Sequence, residues 1–194
     1  SARPLAVNRS GKIAAVLLAG LGLLATGLPM SQALAEMDEI MVGSPAPDYS
    51  LVDQHGETRS LAGYRQRWLV LYFYPKDDTP GCTTEACQFR DAYQTLKNLG
   101  AEVLGVSIDH RESHAAFAKK FSLPFPLLAD TDGAVARRYG ALWGLWPLRF
   151  ARRHTFLIGP QGRIAKVYRQ VDPQTHSREI IADLKLLQAA VTDF

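Results

Sequence analysis

The stretch Tyr74–Cys87, YPKDDTPGCTTEAC, carries both cysteines of the chain at the junction of an apolar run and a predicted helix. The run WLVLYFYP (68–75) is continuously apolar, which is typical of a strand buried on both faces of a sheet. Thr79 followed by Pro80 predicts a helix start, with Thr79 as N-cap and proline in the first helical position. Apolar residues then recur at helical spacing from Cys82 to Leu99. The stretch is therefore predicted to connect a central strand to a helix.

Strands and helices alternate through the rest of the chain after residue 36. Further strands are predicted at AEVLGVSID (101–109) and FPLLAD (125–130), and further helices at 112–123, 132–141 and 176–191. Hairpins are predicted around His55-Gly56 and at residues 160–162. This order predicts an α/β fold with a mixed central sheet flanked by helices and an N-terminal hairpin. Because ligand chemistry in such sheets gathers at the carboxyl ends of central strands, both thiols lie where a site is expected.

The charge of the chain is concentrated at its N-terminus. The formal net charge of the 194 residues is +3, and residues 1–35 hold Arg3, Arg9 and Lys12 without an acid. The rest of the chain is therefore formally neutral, which gives no electrostatic case for nucleic-acid binding. Two cysteines are too few for a disulfide scaffold or a four-cysteine zinc site. The alternative is two unrelated buried cysteines that act as small apolar residues.

Residues 1–35 have the pattern of a targeting segment. Basic residues precede an apolar run over 13–28, and Pro29 and the small-residue pattern Ala33-Leu34-Ala35 follow. That order predicts a secretory signal with cleavage after Ala35, so that a single domain spans 36–194 and is exported to a periplasmic or lumenal compartment. The alternative is an uncleaved anchor that holds the chain to a membrane by residues 13–28.

The spacing of the two cysteines limits how they can pair. Cys82 falls in the first turn of the predicted helix, where unpaired N–H groups and the helix dipole favour the thiolate, whereas Glu85 opposes it. Cys87 is five residues further on, and helix geometry separates the two Cα atoms by about 8–9 Å. A disulfide requires less than about 7 Å. The pair is therefore either unbonded or bonded only after the helix start unwinds.

The pattern Pro75-x-x-x-Thr79-x-x-Cys82, with Cys87 five residues on, resembles the peroxiredoxins, specifically the bacterioferritin comigratory protein or Prx Q group. The sequences CTTEACQFRD and RHTFLIGPQGRI also look like this family, and the resemblance runs from about Gly43 to Leu187. It implies a thioredoxin-like fold and thiol-dependent reduction of hydrogen peroxide and organic hydroperoxides. It implies no metal and no organic cofactor.

The resemblance assigns a role to each motif residue. Cys82 matches the peroxidatic cysteine, which becomes a sulfenic acid, and Cys87 matches the resolving cysteine, which condenses with it after the helix unwinds. Thr79 matches the hydroxyl that hydrogen-bonds peroxide and sulfur, although it could serve only as the N-cap. Pro75 matches the residue that shields the site from water, although it could merely end the strand.

Two charged residues complete the expected site. Arg153 matches the arginine that stabilises the thiolate and the charge on the peroxide, and strand alternation predicts that one of Arg152 and Arg153 points inward. Glu85 occupies the position of a supporting Glu or Gln. Arg90 is expected to bind a neighbouring carboxylate. The histidines at 110, 114, 154 and 176 are expected to be solvated or packed, because nothing groups them as ligands.

The functions that remain open differ in how Cys82 would behave. A thiol peroxidase is the principal hypothesis, with a thioredoxin-like reductant, an intramolecular disulfide and a monomeric state implied by the resemblance. A protein thiol–disulfide exchanger is the second, against which stands the absence of a C-x-x-C pair. A redox-sensing or holdase binding module without turnover is the third. Export would place the thiols in an oxidising compartment, so the reductant is expected there.

The stretch ALWGLWPLRFARR (141–153) is apolar with a basic end. Trp143, Trp146, Leu148 and Phe150 supply its apolar character. One interpretation is that the stretch covers the core. The other is that it forms a docking surface for a partner or a membrane.

Overall fold

The computed structural model of the protein describes residues 40–145 and 147–192. Its first half contains strands β1 and β2, a 3-10 turn, β3, helix α1, β4, helix α2 and β5. These run in order over Ser50–Asp53, Thr58–Ser60, Leu61–Tyr64, Trp68–Phe73, Pro80–Asn98, Ala101–Ser107, Arg111–Phe121 and Leu127–Ala129. The second half contains α3, β6, β7, β8, β9 and α4, over Ala134–Arg138, Leu142–Leu145, Leu148–Ala151, Thr155–Ile158, Ile164–Tyr168 and His176–Thr192.

Seven of these strands form one mixed sheet in the order β2-β1-β5-β4-β3-β8-β9. The three central strands β5, β4 and β3 run parallel to one another, and all other pairings in this sheet are antiparallel. The parallel connections run through helices, as parallel strands require. The mixed α/β prediction is confirmed, and so are the N-terminal hairpin of β1 and β2 and the hairpin of β8 and β9.

The central sheet is covered on both faces, as the continuous apolar run of β3 predicts. Its side chains alternate: Val70 and Tyr72 enter one buried cluster, while Leu71 and Phe73 enter the other. The first cluster lies under α1, α2 and α4, and its members from those helices include Phe89, Phe117 and Leu184. The second cluster lies under α3 and under the residues just before β1, including Ala46 and Tyr49.

Close packing between β3 and β4 depends on Gly105. A Cβ atom at this position would lie 2.8 Å from the Cζ and hydroxyl of Tyr72 and 2.8 Å from Leu127 Cδ2. Real Cβ atoms do not approach other heavy atoms so closely, so only glycine leaves room for the Tyr72 ring. That ring lies on Phe89 of α1, with the centroids 4.8 Å apart.

Residues 142–151 form a two-stranded hairpin of their own, β6 paired with β7, which the sequence analysis did not predict. Trp143, Leu145, Leu148 and Phe150 are exposed in it. The interpretation of this stretch as core cover is therefore wrong for these four side chains. Trp146 lies outside the described residues.

The predicted targeting segment, residues 1–35, also lies outside the described residues. Within 40–145 and 147–192, no helix is both long and apolar enough to cross a membrane.

Candidate active site

Helix α1 begins where the sequence predicts, and it brings Cys82 to the carboxyl edge of β3. Pro80 is the first helical residue and Cys82 lies in the first turn. The Cys82 side chain is 2% exposed and belongs to the cluster that contains Ala86 and Phe89 from the next two turns. The thiol therefore sits in a dry environment, where an adjacent charge acts more strongly than in water.

The charge beside the thiol is the guanidinium of Arg153. Its Nη2 donates a hydrogen bond to Cys82 Sγ at 3.3 Å, and its Nη1 donates to Glu85 Oε2. Arg152 is exposed while Arg153 points inward, as predicted, but both lie in the loop between β7 and β8, so strand alternation is not the cause. Gly81 makes this approach feasible, because a Cβ there would meet Arg153 Nη2 at 3.2 Å.

Glu85 is buried next to this arginine, and its carboxyl group is only half satisfied. One oxygen accepts from Arg153, and Oε1 has no hydrogen-bond partner among the described residues. Burial raises the pKa of Glu85 to about 7, although the charge and hydrogen bond of Arg153 act in the opposite direction. A carboxyl group with such a pKa changes its charge near neutrality, directly beside the guanidinium that contacts the thiol.

Thr79 occupies the N-cap position, but its side chain does not cap the helix. Its hydroxyl donates to the carbonyl of Lys76 at 3.0 Å instead. Thr79 is therefore the N-cap residue by position, as predicted, but its side-chain oxygen accepts no hydrogen bond from the first turn of α1. The hydroxyl oxygen of Thr79 keeps its lone pairs, which face away from the Lys76 carbonyl. Pro75 follows the end of β3 and is half-buried.

Cys87 lies further along the unbroken helix and is half-buried. Both cysteines are free thiols. Because α1 is continuous over Pro80–Asn98, helix geometry keeps the two Cα atoms about 8–9 Å apart. The two sulfurs cannot bond without unwinding of the first turns.

A buried polar network holds the loop that precedes α1, and sequence reasoning missed it. Asp77 accepts hydrogen bonds from the hydroxyls of Tyr74 and Ser113, both at 2.7 Å, and contacts His114 Nδ1 at 2.8 Å. His114 was expected to be solvated or packed, and it is packed. No spacing in the sequence relates Asp77 to a histidine 37 positions later, so only the fold brings them together.

The remaining predicted polar residues lie around this centre. Arg90 binds the carboxylate of Asp91, as expected, and also donates to the carbonyl of Phe121 at 2.9 Å, which ties α1 to the end of α2. His176 is buried with its Nε2 at 2.8 Å from Thr155 Oγ1. His154 is buried and His110 is exposed.

The described residues include no group of potential metal ligands, and the best-defined cleft lies away from the thiols. In the described part of the chain, no three His, Cys, Asp or Glu side chains come together as a metal site. A cleft of about 330 Å³, lined by Arg59, Tyr64 and Arg67 among others, lies instead near the amino ends of β3 and β4. It is at the opposite end of the strands from Cys82.

Comparison with known proteins finds one family and a consistent set of relatives. The family model described as the AhpC/TSA family matches residues 42–167. Peroxiredoxin Bcp of Bacillus subtilis is 43% identical over 154 residues, which cover 75% of this chain and 96% of the relative. The chloroplastic peroxiredoxin Q of Sedum lineare is 43% identical over 155 residues, covering 78% of this chain and 80% of the relative.

Solved structures agree with these relatives. A cysteine-to-serine mutant of Xylella fastidiosa PrxQ superposes with a TM-score of 0.73 at 33% identity, covering 77% of this chain and 98% of that one. The Xanthomonas campestris bacterioferritin comigratory protein, whose structures concern its alkyl peroxide reduction activity, has a TM-score of 0.69 at 33% identity. That match covers 76% of this chain and 96% of the other.

Proposed function

The chain belongs to the AhpC/TSA family and is a peroxiredoxin, a thiol-dependent peroxidase, and from that premise we propose how its two cysteines reduce a peroxide. Cys82 is the peroxidatic thiol and Cys87 the resolving thiol. The observation that carries this assignment is the hydrogen bond from Arg153 to Cys82 Sγ, 3.3 Å long, at the N-terminal turn of α1. A guanidinium and a helix N-terminus both favour a thiolate over a thiol.

In the first step the Cys82 thiolate attacks the terminal oxygen of the peroxide. The S–O bond forms while the O–O bond breaks, so the sulfur is oxidised to a sulfenic acid and the leaving oxygen departs with a proton as water or an alcohol. Arg153 stabilises the charge that moves from sulfur to oxygen. The Thr79 hydroxyl donates its proton to the backbone carbonyl of Lys76, so its oxygen is suited to accept a hydrogen bond from the peroxide O–H.

In the second step the Cys87 sulfur attacks the Cys82 sulfenic acid. The S–S bond forms, the S–O bond breaks, and water leaves with the Cys87 proton. The helical separation of the two residues requires the first turns of α1 to unwind before this step. The product is an intramolecular disulfide, so resolution needs no second subunit, and we propose a monomer.

The cycle closes when a dithiol protein reduces the Cys82–Cys87 disulfide. We propose a thioredoxin-like protein as donor, in a periplasmic or lumenal compartment to which residues 1–35 direct the chain. Cleavage after Ala35 and retention as an anchor over 13–28 are the two expected fates of that segment. Hydrogen peroxide and organic hydroperoxides are the proposed substrates, and the activity stated for the Xanthomonas relative supports the second class.

The burial of Cys82 weighs against the two other hypotheses. At 2% exposure its sulfur admits a small peroxide more readily than a disulfide on another protein, which disfavours a protein thiol–disulfide exchanger. A binding module without turnover would not need the charged contact from Arg153 to Sγ. The peroxidase is the function that uses Cys82, Cys87 and the contact from Arg153 together.

The assignment is tested by intact-mass measurement of residues 36–194, reduced and then given one equivalent of hydrogen peroxide. We expect the parent to lose two hydrogens within seconds and the Cys87→Ser variant to gain one oxygen. The Cys82→Ser variant, as the matched control, should remain unchanged. A parent that keeps its mass over minutes would sink the peroxidase assignment of Cys82.

A further inference from the structure

Among the described residues, the hairpin of β6 and β7 presents four apolar side chains to solvent on one face. The strand register pairs Trp143 with Phe150 and Leu145 with Leu148, so all four side chains project from the same face. Their exposed fractions are 48% and 38% for the first pair and 86% and 79% for the second, which is nearer the turn. We call these four residues the apolar face; its exposure increases from the base of the hairpin to its tip.

The hairpin is held firmly to the domain by its opposite face and its base. Ala151 is buried, and Leu142 packs against the second cluster. The backbone N–H of Arg152 donates to the carbonyl of Ala141 at 2.6 Å, and Arg149 donates to the carbonyl of Thr131. The apolar face therefore projects from a fixed base, and its exposure does not come from a displaced core segment.

Positive charge surrounds the base of this hairpin. Residues 134–153 contain five arginines and no acidic residue, although basic and acidic residues balance over the whole chain after position 35. Arg137, Arg138 and Arg152 are exposed. The N–H of Arg152 bonds to the carbonyl of Ala141, and the N–H of Ala141 bonds to the carbonyl of Ala136, so Arg152 and the end of α3 with Arg137 and Arg138 meet at the base of the hairpin.

The apolar face is large enough for either a bilayer or a protein, so charge and not area identifies what covers it. Its four side chains present on the order of 500 Å² together, similar to the apolar part of one partner's surface in a standard protein interface. An apolar tip with cations at its base matches the layering of an anionic bilayer, where acyl chains lie beneath phosphates. Retention of residues 13–28 as an anchor, one of the two expected fates of that segment, would also hold this chain at a membrane.

We propose that the apolar face inserts into the surface of a bilayer that contains anionic lipids, and that the arginines at the base of the hairpin bind lipid phosphates. Arg153 follows β7 by two positions and contacts the Cys82 sulfur. Docking by this hairpin therefore holds the active-site edge of the sheet close to the lipid surface. This surface requires neither residues 1–35 nor turnover of peroxide.

The test uses residues 36–194, so that the apolar run at the N-terminus cannot contribute. This part folds alone, because it holds the whole sheet with both clusters, and the Xylella chain is matched over 98% of its length by 77% of this chain. Co-flotation is measured with vesicles of phosphatidylcholine alone and of phosphatidylcholine mixed with phosphatidylglycerol. We expect binding to the anionic vesicles that weakens as salt is added.

The decisive variant is Leu145→Ser with Leu148→Ser. It should lower the affinity for anionic vesicles at least about tenfold, because each leucine loses its burial in the acyl layer. Leu186→Ser is the matched control, since Leu186 is a 70% exposed leucine on α4, and it should bind as the parent does. Arg137→Gln with Arg138→Gln should remove the preference for anionic over neutral vesicles.

Two results would overturn the proposal. One is equal vesicle binding by the parent and the double-leucine variant, including no binding by either. The other is a parent that dimerises in sedimentation while the double-leucine variant does not, which would assign the apolar face to a second copy of the chain. Oxidation of Cys82 by hydrogen peroxide, measured without vesicles, should be unchanged in the double-leucine variant. This measurement tests the peroxidase assignment independently of vesicle binding.

Discussion

His114 is held between Asp77 and the carbonyl of Leu128, with Nδ1 2.8 Å from the carboxylate and Nε2 3.1 Å from the carbonyl oxygen. Both partners are hydrogen-bond acceptors, and His114 is in contact with both of them through its two ring nitrogens. This buried contact fixes the loop between β3 and the thiol-bearing helix. Burial alone would raise the pKa of Asp77, but hydrogen bonds and charge from His114 hold that pKa below its ordinary value.

Asp77→Asn should destabilise the protein by about 1–3 kcal/mol, because it removes the buried carboxylate that contacts Tyr74, Ser113 and His114. The measurement is urea unfolding at neutral pH. Asp78→Asn is the matched control: Asp78 is exposed and pairs with the exposed Lys120, so the change should cost less than about 1 kcal/mol. Since the folded pKa of Asp77 is lowered, its contribution is present above the unfolded value of 3.8 and is lost on further acidification. Equal losses of stability in the two variants would contradict a role for the contact of Asp77 with His114 in holding the loop before α1.

Glu85→Gln should change how stability depends on pH. The folded pKa of Glu85 is raised to about 7 from 4.5, so its stabilising protonated form is fully present below pH 4.5 and is lost as pH rises through 7. The neutral glutamine avoids that loss, and the variant should gain about 2–3 kcal/mol relative to the parent between about pH 5 and about pH 8. Unfolding at several pH values measures this gain. Glu57→Gln, an exposed control, should follow the parent, and so would Glu85→Gln if its carboxyl group were ionised throughout.

Arg153→Lys should slow the reaction of Cys82 with hydrogen peroxide by about 100-fold, the typical effect of removing one donor from a developing negative charge. A lysine keeps the charge but cannot reach Sγ and Glu85 together with a planar fork. Stopped-flow measurement of Cys82 oxidation gives the rate constant. Arg152→Lys, one residue away and exposed, should react within about twofold of the parent, as a surface position allows. A normal rate in Arg153→Lys would remove the arginine from the reaction.

Gly105→Ala should lower the free energy of unfolding by about 1–3 kcal/mol, because the added methyl group overlaps Tyr72 and Leu127. Urea unfolding provides the measurement. Gly63→Ala is the control, since a Cβ there meets no heavy atom within 4 Å. Similar free energies of unfolding in the two variants would show that β3 and β4 accommodate the added methyl group without loss of stability.

The sequence predicts the helices and strands of this protein better than its side-chain contacts. The strand predicted at 68–75 is observed at Trp68–Phe73, and the helix predicted from Thr79-Pro80 begins at Pro80. Both depend on local signals, namely an apolar run and a helix-start pair. The predicted partner of the thiol, Arg153, is observed against Cys82, although 71 residues separate them. That prediction depended on the family motif, because no local pattern relates the two positions.

Four features escaped prediction because they arise only from packing. The contact of Asp77 with His114 joins positions 37 residues apart, and the need for glycine at 105 comes from a ring on the neighbouring strand. The pairing of β6 with β7 exposes apolar residues that hydrophobicity alone would assign to the core. The bond from the Thr79 hydroxyl to the Lys76 carbonyl depends on the path of the loop before α1.

The packing of the first turns of α1 also sets an energetic bias on the proposed cycle. Cys82, Ala86 and Phe89 all belong to one buried cluster, and the unwinding that the proposed Cys82–Cys87 bond requires removes Cys82 from it. In the proposed cycle this packing favours the dithiol form over the disulfide form. Stabilising the dithiol raises the reduction potential of the disulfide, by about 30 mV for each 1.4 kcal/mol. The two electrons still come from the donor protein, and the higher potential allows a more weakly reducing donor to supply them.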